Sequence, residues 1–393
     1  MPPNKGMKQT KQAQAMELRS LSPVLARQPK EKSPMRRRDV TIRVSLTVLI
    51  STAVAASAHP QDTATKLDEY LIRKATGQIF SGSVLVAGSD GNILRKGYGF
   101  ANLEHRVPNT PETKFRLGSL TKQFTAMAIL ILQEQGKLSV QDTIGKHLPG
   151  APASWHPITV HQLLTHTSGL MHSWDLPEFE QTQMVPSTLD QTIARFTDQP
   201  LLSQPGEKFH YSGLGYFVLA KLIETVSGVP YGTFLRQQIL DPLTLNDTGE
   251  DRQAPLLTHR ASGYIRDGER LVNAPPIDMA LLTGGGNLYS TVDDLAKWDR
   301  ALTAGLLLSK ASYRTMYTPF KDNYGYGWFV RTERSRKRID HDGGVPGFST
   351  TIRRFPDDRV CIIVLSNLGE DVEPIAADLE AIVFEQPLRG AGR

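Results

Sequence analysis

One apolar segment, 119–135, constrains the fold of this chain more strongly than any other part of it. Its sequence is Ser-Leu-Thr-Lys-Gln-Phe-Thr-Ala-Met-Ala-Ile-Leu-Ile-Leu-Gln-Glu-Gln, and from Phe124 to Leu132 it is apolar on almost every side. Ser119 suits the cap or first turn of a helix, and Gly136 suits its end. A helix that is apolar all round packs inside a domain. We therefore expect this helix to lie at the centre of a folded unit.

Patterns typical of β-strands occur near both ends of the chain, and helical patterns fill the middle. Apolar residues at helical spacing predict a short amphipathic helix over 66–76. Asp90-Gly91 stands between the β-prone runs 83–87 and 93–97, which is a strong hairpin signal. The other predicted elements are helices 160–164, 189–196, 215–226, 231–239 and 371–384, and strands 326–331, 337–341, 348–354 and 360–365.

This order of elements predicts an α/β fold of the α+β type. Strands from both termini would form one antiparallel sheet with flanking helices, and an all-α lobe, at about 140–250, would be inserted between them. No internal repeat divides residues 59–393, so we expect a single folded unit there rather than several independent domains.

The net charge of the chain is concentrated in its first 58 residues. Lys and Arg total 45 against 40 Asp and Glu, a net charge of +5. Residues 1–58 hold eleven of the basic residues and three of the acidic ones, which leaves 34 basic and 37 acidic residues beyond them. Because the rest of the chain is slightly acidic, we expect no nucleic-acid partner.

The same 58 residues have the pattern of a secretory signal. Arg36-Arg37-Arg38 precedes an apolar segment at 44–56, and Ala56-Ser57-Ala58 is an A-x-A site with cleavage expected after Ala58. The apolar segment is shorter than the roughly 20 residues that a membrane span needs. We expect a periplasmic or secreted protein, with membrane attachment only if the signal stays uncleaved. Met35 is an alternative start, and it gives a signal of ordinary length.

The residue inventory excludes several kinds of site. Cys361 is the only cysteine, so neither an intrachain disulfide nor a cysteine-based zinc site can form. The sequence has no H-E-x-x-H, its histidines lack metal-ligand spacing, and it has no G-x-S-x-G nucleophile motif. We expect no metal ion and no other cofactor.

The first candidate for catalysis is Ser119-Leu-Thr-Lys122, an S-x-x-K. Residues at i and i+3 lie on one face of a helix. A serine hydroxyl becomes a strong nucleophile when a base takes its proton, and a lysine is such a base only if its surroundings lower its pKa. The free N–H groups of a helix start also favour a developing oxyanion. The alternative is a capped helix with a solvated lysine.

The second candidate is Tyr211-Ser212-Gly213, on a turn between predicted helices. A tyrosine beside Lys122 would lose its proton more easily and act as a general base. The alternative is a tyrosine packed at a helix start.

The third candidate is His341-Asp342-Gly343-Gly344, at the end of a predicted strand. Glycines let a substrate approach the strand edge, and the Gly344 N–H suits an oxyanion donor. His341 would hold a substrate carboxylate or tune the tyrosine. The alternative is a glycine-rich turn with an exposed histidine.

Together these three segments resemble the serine β-lactamase and penicillin-binding-protein superfamily. The likeness is to the class C-like branch, which includes D-Ala-D-Ala carboxypeptidases and β-lactamase-fold esterases. It extends over about 65–385. Further segments that resemble this branch are 115–122, 163–170, 205–206 and 284–295.

The resemblance implies a role for each candidate. Ser119 is the nucleophile that becomes acylated, and Lys122 and Tyr211 share the roles of general base and general acid. The N–H groups of Ser119 and Gly344 form the oxyanion hole. His341 stands where lactamases carry the lysine of K-T-G, and H-x-G is the variant of the peptidase and esterase branches.

Two departures from the lactamase pattern affect the expected substrate. The Y-x-N asparagine that contacts a substrate amide is replaced by Gly213, and the K-T-G lysine is missing, so an ester or unusual peptide becomes more favoured than a β-lactam. Gly213 and Gly343 are expected to border the substrate, a small molecule or peptide. The alternative function is a penicillin-binding sensor that is acylated without turnover. His166 and Ser168 resemble a dyad, but we interpret 163–170 as a structural turn.

Overall fold

The computed structural model describes residues 60–388 of the chain. The predicted signal peptide and its cleavage site after Ala58 lie outside the described residues. Within 60–388, no helix is both long and apolar enough to cross a membrane.

The helices and the strands of the described residues are each numbered in chain order. The helices are α1 (Pro60–Thr76), α2 (Thr121–Glu134), α3 (Ile144–His147), α4 (Val160–Leu164), α5 (Leu189–Ala194), α6 (Gly213–Ser227), α7 (Tyr231–Leu235), α8 (Val292–Ala304), α9 (Lys310–Met316) and α10 (Glu373–Val383). The strands are β1 (Gly82–Gly88), β2 (Gly91–Tyr98), β3 (Phe100–Asn102), β4 (Val107–Pro108), β5 (Phe115–Arg116), β6 (Gly249–Glu250), β7 (Tyr264–Asp267), β8 (Arg270–Asn273), β9 (Leu288–Ser290), β10 (Phe329–Glu333), β11 (Arg336–Val345), β12 (Phe348–Phe355) and β13 (Val360–Ser366).

The main sheet joins strands from both ends of the described chain. Its order is β10-β11-β12-β13-β1-β2, and each neighbouring pair is antiparallel. The central pairing is between β1 and β13, with Val84 opposite Val364. The predicted fold class, an antiparallel sheet built from both termini with flanking helices, is therefore confirmed.

Each face of the sheet is covered by helices. On one face, α1 and α10 pack through Leu71 and Leu379 against Val84 and Val364. On the other face, α2 and α8 belong to the larger core, and Phe124 stacks on Trp298 with ring centroids 4.5 Å apart. Burying each such side chain stabilises the fold by about 1.5–3 kcal/mol.

Helix α2 lies inside this core, as its apolar sequence predicts. All its residues from Thr121 to Leu132 are buried. One side of the helix meets α8, and another packs against α6 and α7 of the helical layer. The start of α2 is therefore held where the sheet and the helical layer meet.

Two predicted strand boundaries are wrong. The strand predicted from residue 326 begins at Phe329, because Gly327 turns the chain with φ of +74°. The strand predicted to end at His341 continues to Val345, because Gly343 and Gly344 still pair with β12. The H-D-G-G segment is therefore part of a strand rather than a loop after it.

Candidate active site

Ser119 lies in a single 3₁₀ turn, Gly118–Leu120, directly before α2. The segment ahead of it is fixed because the Leu117 N–H donates to the Leu288 carbonyl oxygen at 2.8 Å. No side chain caps the start of α2. The Ser119 hydroxyl is thus free of a capping role.

Lys122 reaches that hydroxyl from the next turn. Its Nζ lies 3.0 Å from Ser119 Oγ and donates to the Gly285 carbonyl oxygen at 2.8 Å. The side chain is buried, and this burial lowers the pKa of the Lys122 ammonium to about 7. A lysine that is half deprotonated at neutral pH can serve as a general base.

The Gly285 carbonyl is a partner that the sequence did not reveal. The segment 284–295 resembles the family, but a backbone carbonyl leaves no side-chain signal. Gly284 adopts φ of +82°, and its own carbonyl accepts from Thr125 Oγ1 at 2.6 Å. This turn holds the Gly285 carbonyl against Lys122.

Tyr211 lies beside Lys122 and Ser119. Lys122 Nζ is 4.8 Å from the centre of the Tyr211 ring. Burial raises the pKa of the Tyr211 phenol, and an interaction with the Ser119 hydroxyl offsets this only in part. The expectation that the tyrosine would lose its proton more easily is therefore wrong for the free protein, and Lys122 is the group that titrates near neutral pH.

The segment 163–170 holds Tyr211 in place. Ser212 N–H donates to Nδ1 of His166 at 3.0 Å, and the His166 ring lies against Tyr211 with centroids 4.2 Å apart. Ser212 Oγ also caps α6 by accepting from the Gly215 N–H at 2.9 Å. Ser168 Oγ accepts from the Leu170 N–H, so it forms no dyad with His166. The interpretation of 163–170 as a structural turn is confirmed.

His341 is buried with both ring nitrogens paired. Nδ1 lies 2.6 Å from the Asp342 carbonyl oxygen, and Nε2 lies 2.9 Å from the Tyr324 hydroxyl. Burial, with the nearby charge of Lys122, lowers the pKa of His341 to about 3. The neutral ring thus donates from Nδ1 and accepts from Tyr324 at Nε2.

This pairing corrects two expectations for His341. The histidine is not exposed on a turn, and neither nitrogen is free to bind a substrate carboxylate. Its ring centroid lies 6.3 Å from that of Tyr211, so an influence on the tyrosine is still compatible with the geometry. Tyr324 is the residue that sequence reasoning did not connect with the site.

Strand β11 packs tightly against the turn that carries Ser119. A Cβ placed on Gly118 would lie 2.7 Å from Gly344 N, and one on Gly343 would lie 3.0 Å from Ser119 N. Thr350 Oγ1 secures the contact by donating to the Leu117 carbonyl at 2.8 Å. The backbone N–H groups of Ser119 and Gly344 are thus brought close together, as an oxyanion site requires.

A groove of about 590 Å³ follows this end of β11. Strand β10 pairs with β11 only as far as Asp340, so the described chain places no strand over the edge beyond that point. Gly343 and Gly344 line the groove together with Trp174, and two carboxylates, Asp342 and Asp371, line it as well. The groove therefore offers an open strand edge with negative charge.

The space beside Gly213 is already filled. A Cβ on Gly213 would lie 2.6 Å from Ser173 Oγ and 3.2 Å from His172 Nδ1. These residues come from the turn after α4, which the sequence did not mark as functional. A glycine at position 213 is what lets them approach.

No group of three His, Cys, Asp or Glu side chains within 60–388 is arranged to hold a metal ion. Cys361 is buried with a free thiol.

Comparison with known proteins finds the same fold and related sequences. Penicillin-binding protein 4* of Bacillus subtilis (strain 168) is 32% identical over 338 residues, which cover 78% of this chain and 73% of that protein. The structure of an octameric penicillin-binding protein homologue from Pyrococcus abyssi is 31% identical, with a TM-score of 0.73 over 83% of this chain and 78% of that one.

A D-amino acid amidase from Ochrobactrum anthropi is similar in fold alone. It is 20% identical, with a TM-score of 0.71 over 82% of this chain and 98% of that one. The model of the Beta-lactamase family matches residues 62–385. Since that match spans the sheet, α2 and the H-D-G-G strand, the chain belongs to the Beta-lactamase family.

Proposed function

We propose that the protein is an exported serine hydrolase that forms an acyl-enzyme on Ser119. The observation that carries this proposal is the 3.0 Å approach of Lys122 Nζ to Ser119 Oγ in a site that lowers the lysine pKa to about 7. Covalent acyl transfer needs a nucleophile within hydrogen-bond distance of a base whose pKa lies near the working pH.

In acylation, neutral Lys122 takes the Ser119 proton as Oγ attacks the carbonyl carbon of the substrate. The negative charge passes to the carbonyl oxygen, which the N–H groups of Ser119 and Gly344 stabilise. The proton held at Lys122 then reaches the leaving group through Tyr211, whose hydroxyl interacts with Ser119. The bond to the leaving group breaks and the acyl-enzyme remains.

In deacylation, the same residues activate a water molecule. Lys122 and Tyr211 remove a proton from the water as it attacks the acyl carbonyl, and Ser119 recovers its proton when the tetrahedral intermediate collapses. The products are the free acid and the regenerated hydroxyl.

The charge of the groove supports an ester or amide substrate over an anionic β-lactam. Asp342 is exposed next to Gly343 and Gly344, and Asp371 lines the same groove. His341, neutral and fully paired, supplies no positive charge. A substrate with a carboxylate would be repelled there, whereas a neutral ester would not.

Export is supported by the leader alone, in which a basic cluster, an apolar segment and Ala56-Ser57-Ala58 follow each other. A small ester or peptide in the periplasm or outside the cell is then the partner we propose.

The test compares wild type with Ser119→Ala on p-nitrophenyl butyrate, nitrocefin and a D-Ala-D-Ala peptide. We expect wild type to turn over at least one of them and the variant to lose at least about 10³-fold in kcat. Ser227→Ala is the matched control, because Ser227 lies at the end of α6 and its hydroxyl hydrogen-bonds to the Val229 backbone, and it should keep its activity. Activity that survives in Ser119→Ala would refute the proposal.

A second candidate, a binding module that is acylated without turnover, is favoured by one observation. Gly213 has no side chain to contact a substrate amide, and Ser173 and His172 fill its space. Intact-mass measurement after addition of a β-lactam separates the two functions. A stable adduct without turnover would support the binding module, and rapid return to the free mass would support the enzyme.

A further inference from the structure

A second cavity, of about 420 Å³, adjoins the groove at the end of β11. Pro346 and Phe348 line both spaces, so the two meet at these residues. Arg116 and Arg260 also line the second cavity, and no acidic side chain within 60–388 does so. We call this cavity, bordered by the two arginines, Pro346 and Phe348, the arginine pocket.

Backbone pairing brings the two arginines together. Arg116 ends β5, and Arg260 lies in the irregular segment between β6 and β7. The Lys114 N–H donates to the His259 carbonyl oxygen at 2.8 Å, and the Ala261 N–H donates to the Lys114 carbonyl oxygen at 3.0 Å. Because these two bonds flank Arg260, they place it beside the strand that leads into the turn of the nucleophile.

One buried carboxylate holds both guanidinium groups. Asp251 is 1% exposed, and it accepts from Arg116 Nε at 2.6 Å and from Arg260 Nη1 at 2.9 Å. Arginine stays protonated in proteins, so two positive charges face a single negative charge. The cluster therefore keeps positive charge that no residue lining the pocket neutralises.

Both arginines keep N–H groups for a ligand. Within 60–388, Arg116 hydrogen-bonds through Nε alone and Arg260 through Nη1 alone. Nη1 and Nη2 of Arg116 are absent from the buried polar atoms that lack a partner, so they are open to solvent. The guanidinium carbon of Arg116 also lies 5.7 Å from the centre of the Phe348 ring. Planar donors held in this way suit a carboxylate or a phosphate.

We propose that the arginine pocket binds an anionic group, a carboxylate or a phosphate, at the far end of the substrate. The inference rests on the proposed acyl transfer at Ser119 and narrows its substrate class. Esters or amides with a negative charge well away from the reacting carbonyl are then favoured over neutral ones of the same length.

The position of the negative charge decides between attraction and repulsion. Asp342 and Asp371 line the groove but not the arginine pocket. An anion beside Gly344 therefore meets carboxylates, whereas an anion past Phe348 meets the arginines. The part of the substrate that lies in the groove stays neutral.

The test uses pairs of esters that differ in one charge. One member is the mono-p-nitrophenyl ester of adipic, suberic or sebacic acid, and the other carries a primary amide in place of the free carboxylate. Three lengths are used because the carboxylate must reach past the groove. We expect wild type to favour the carboxylate in at least one pair by about three- to tenfold in kcat/KM. Higher ionic strength should reduce this preference.

A second series places the charge in the leaving group. It consists of butyrate esters of ω-hydroxy acids of the same lengths and of the matching amides, followed by titration of the released acid. A preference for the carboxylate in either series supports the inference and shows which end of the substrate enters the pocket.

Arg260→Gln should remove the preference, and Asp251 would keep Arg116 as its partner in that variant. Arg260→Lys, which keeps the charge but loses the planar donors, should retain part of the preference. Arg314→Gln is the matched control, because it removes the same charge from an exposed arginine of α9 that does not line the pocket. Circular dichroism and thermal melting establish that each variant folds, and Arg260→Lys gives the readout if Arg260→Gln does not.

Two results would overturn the inference. One is equal use of carboxylate and amide in every pair by wild type, and the other is a preference that stays unchanged in folded Arg260→Gln. Hydrolysis that persists in Ser119→Ala would instead refute the proposed function. The pocket is then tested by calorimetry with inorganic phosphate, which should bind wild type at least about fivefold more tightly than Arg260→Gln, and equal or undetectable binding would refute the anion site.

Discussion

Lys122 Nζ lies 3.0 Å from Ser119 Oγ in a site that excludes water from the ammonium. The spacing of the two residues along one helix face brings them together, and the packing around α2 sets the proton affinity of the lysine. The consequences can be measured separately, in the rate of hydrolysis and in the free energy of unfolding.

Lys122→Met is expected to lower kcat/KM by about 10²–10⁴-fold, because the base that takes the Ser119 proton is lost. In wild type, kcat/KM should rise with pH through about 7 as Lys122 loses its proton. The measurement is a pH profile with a neutral ester. A profile that falls above pH 7 would indicate that protonated Lys122 is needed and that Tyr211 is the base.

The same variant should change how stability depends on pH. The Lys122 pKa is about 7 when folded, against an ordinary value of 10.5, so between these values the unfolded chain binds more protons. Wild-type stability therefore rises with pH in that window, relative to Lys122→Met, by about 3 kcal/mol between pH 7 and 9.5 as an upper estimate. Urea unfolding at both pH values checks this, and parallel curves for the two proteins would contradict it.

Tyr324→Phe should affect both stability and catalysis. It removes the donor to Nε2 of His341, a buried acceptor, so the free energy of unfolding should fall by about 1–3 kcal/mol. We also expect kcat to fall, since His341 lies next to Tyr211.

Tyr326→Phe is the matched control for that prediction. It removes a similar hydrogen bond, between the Tyr326 hydroxyl and Nδ1 of His161 at 2.8 Å, and it should lower the free energy of unfolding while kcat stays unchanged. Equal kcat values for Tyr324→Phe and Tyr326→Phe would mean that His341 has no influence on the reaction.

Replacing each of two neighbouring glycines of β11 by alanine should change the free energy of unfolding by different amounts. In Gly343→Ala the new Cβ would lie 2.1 Å from the Leu117 carbonyl oxygen, whereas nothing lies within 4 Å of a Cβ on Gly344. We expect Gly343→Ala to lose about 1–3 kcal/mol or more of unfolding free energy. Gly344→Ala should stay within about 1 kcal/mol of wild type. Thermal and urea unfolding measure both changes. Equal losses of unfolding free energy in the two variants would mean that β11 is not pressed against Leu117.

Asp342→Asn should improve the use of anionic substrates. Removing a carboxylate from the groove lowers the repulsion of the nitrocefin carboxylate by about 1 kcal/mol, so kcat/KM for nitrocefin relative to p-nitrophenyl butyrate should rise about three- to tenfold. Raising the ionic strength should shrink the gain, because salt screens exposed charges.

Asp90→Asn serves as its control, since that carboxylate lies at the exposed turn between β1 and β2. It should leave the ratio of the two substrates unchanged. A gain in Asp342→Asn that is insensitive to salt would show that charge is not its cause.

Much of the fold follows from patterns within single elements. The hairpin of β1 and β2, the limits of α4 at Val160–Leu164 and the burial of α2 were predictable because periodicity and turn residues act over a few positions. The limits of β10 and β11 were not predictable, because they depend on contacts with distant segments. Gly327 turns the chain next to the Lys122 carbonyl, and Gly343 pairs with β12.

The sequence by itself determined that Ser119 and Lys122 share a helix face, and it marked Tyr211 and His341 as companions through resemblance. Only the tertiary structure decided that burial lowers the Lys122 pKa and raises that of Tyr211. It also decided that the Gly285 carbonyl, Tyr324 and His172 meet the site. The physical reason is that local spacing fixes which side chains share a face, whereas proton affinity and free donors depend on which distant segments exclude water from them.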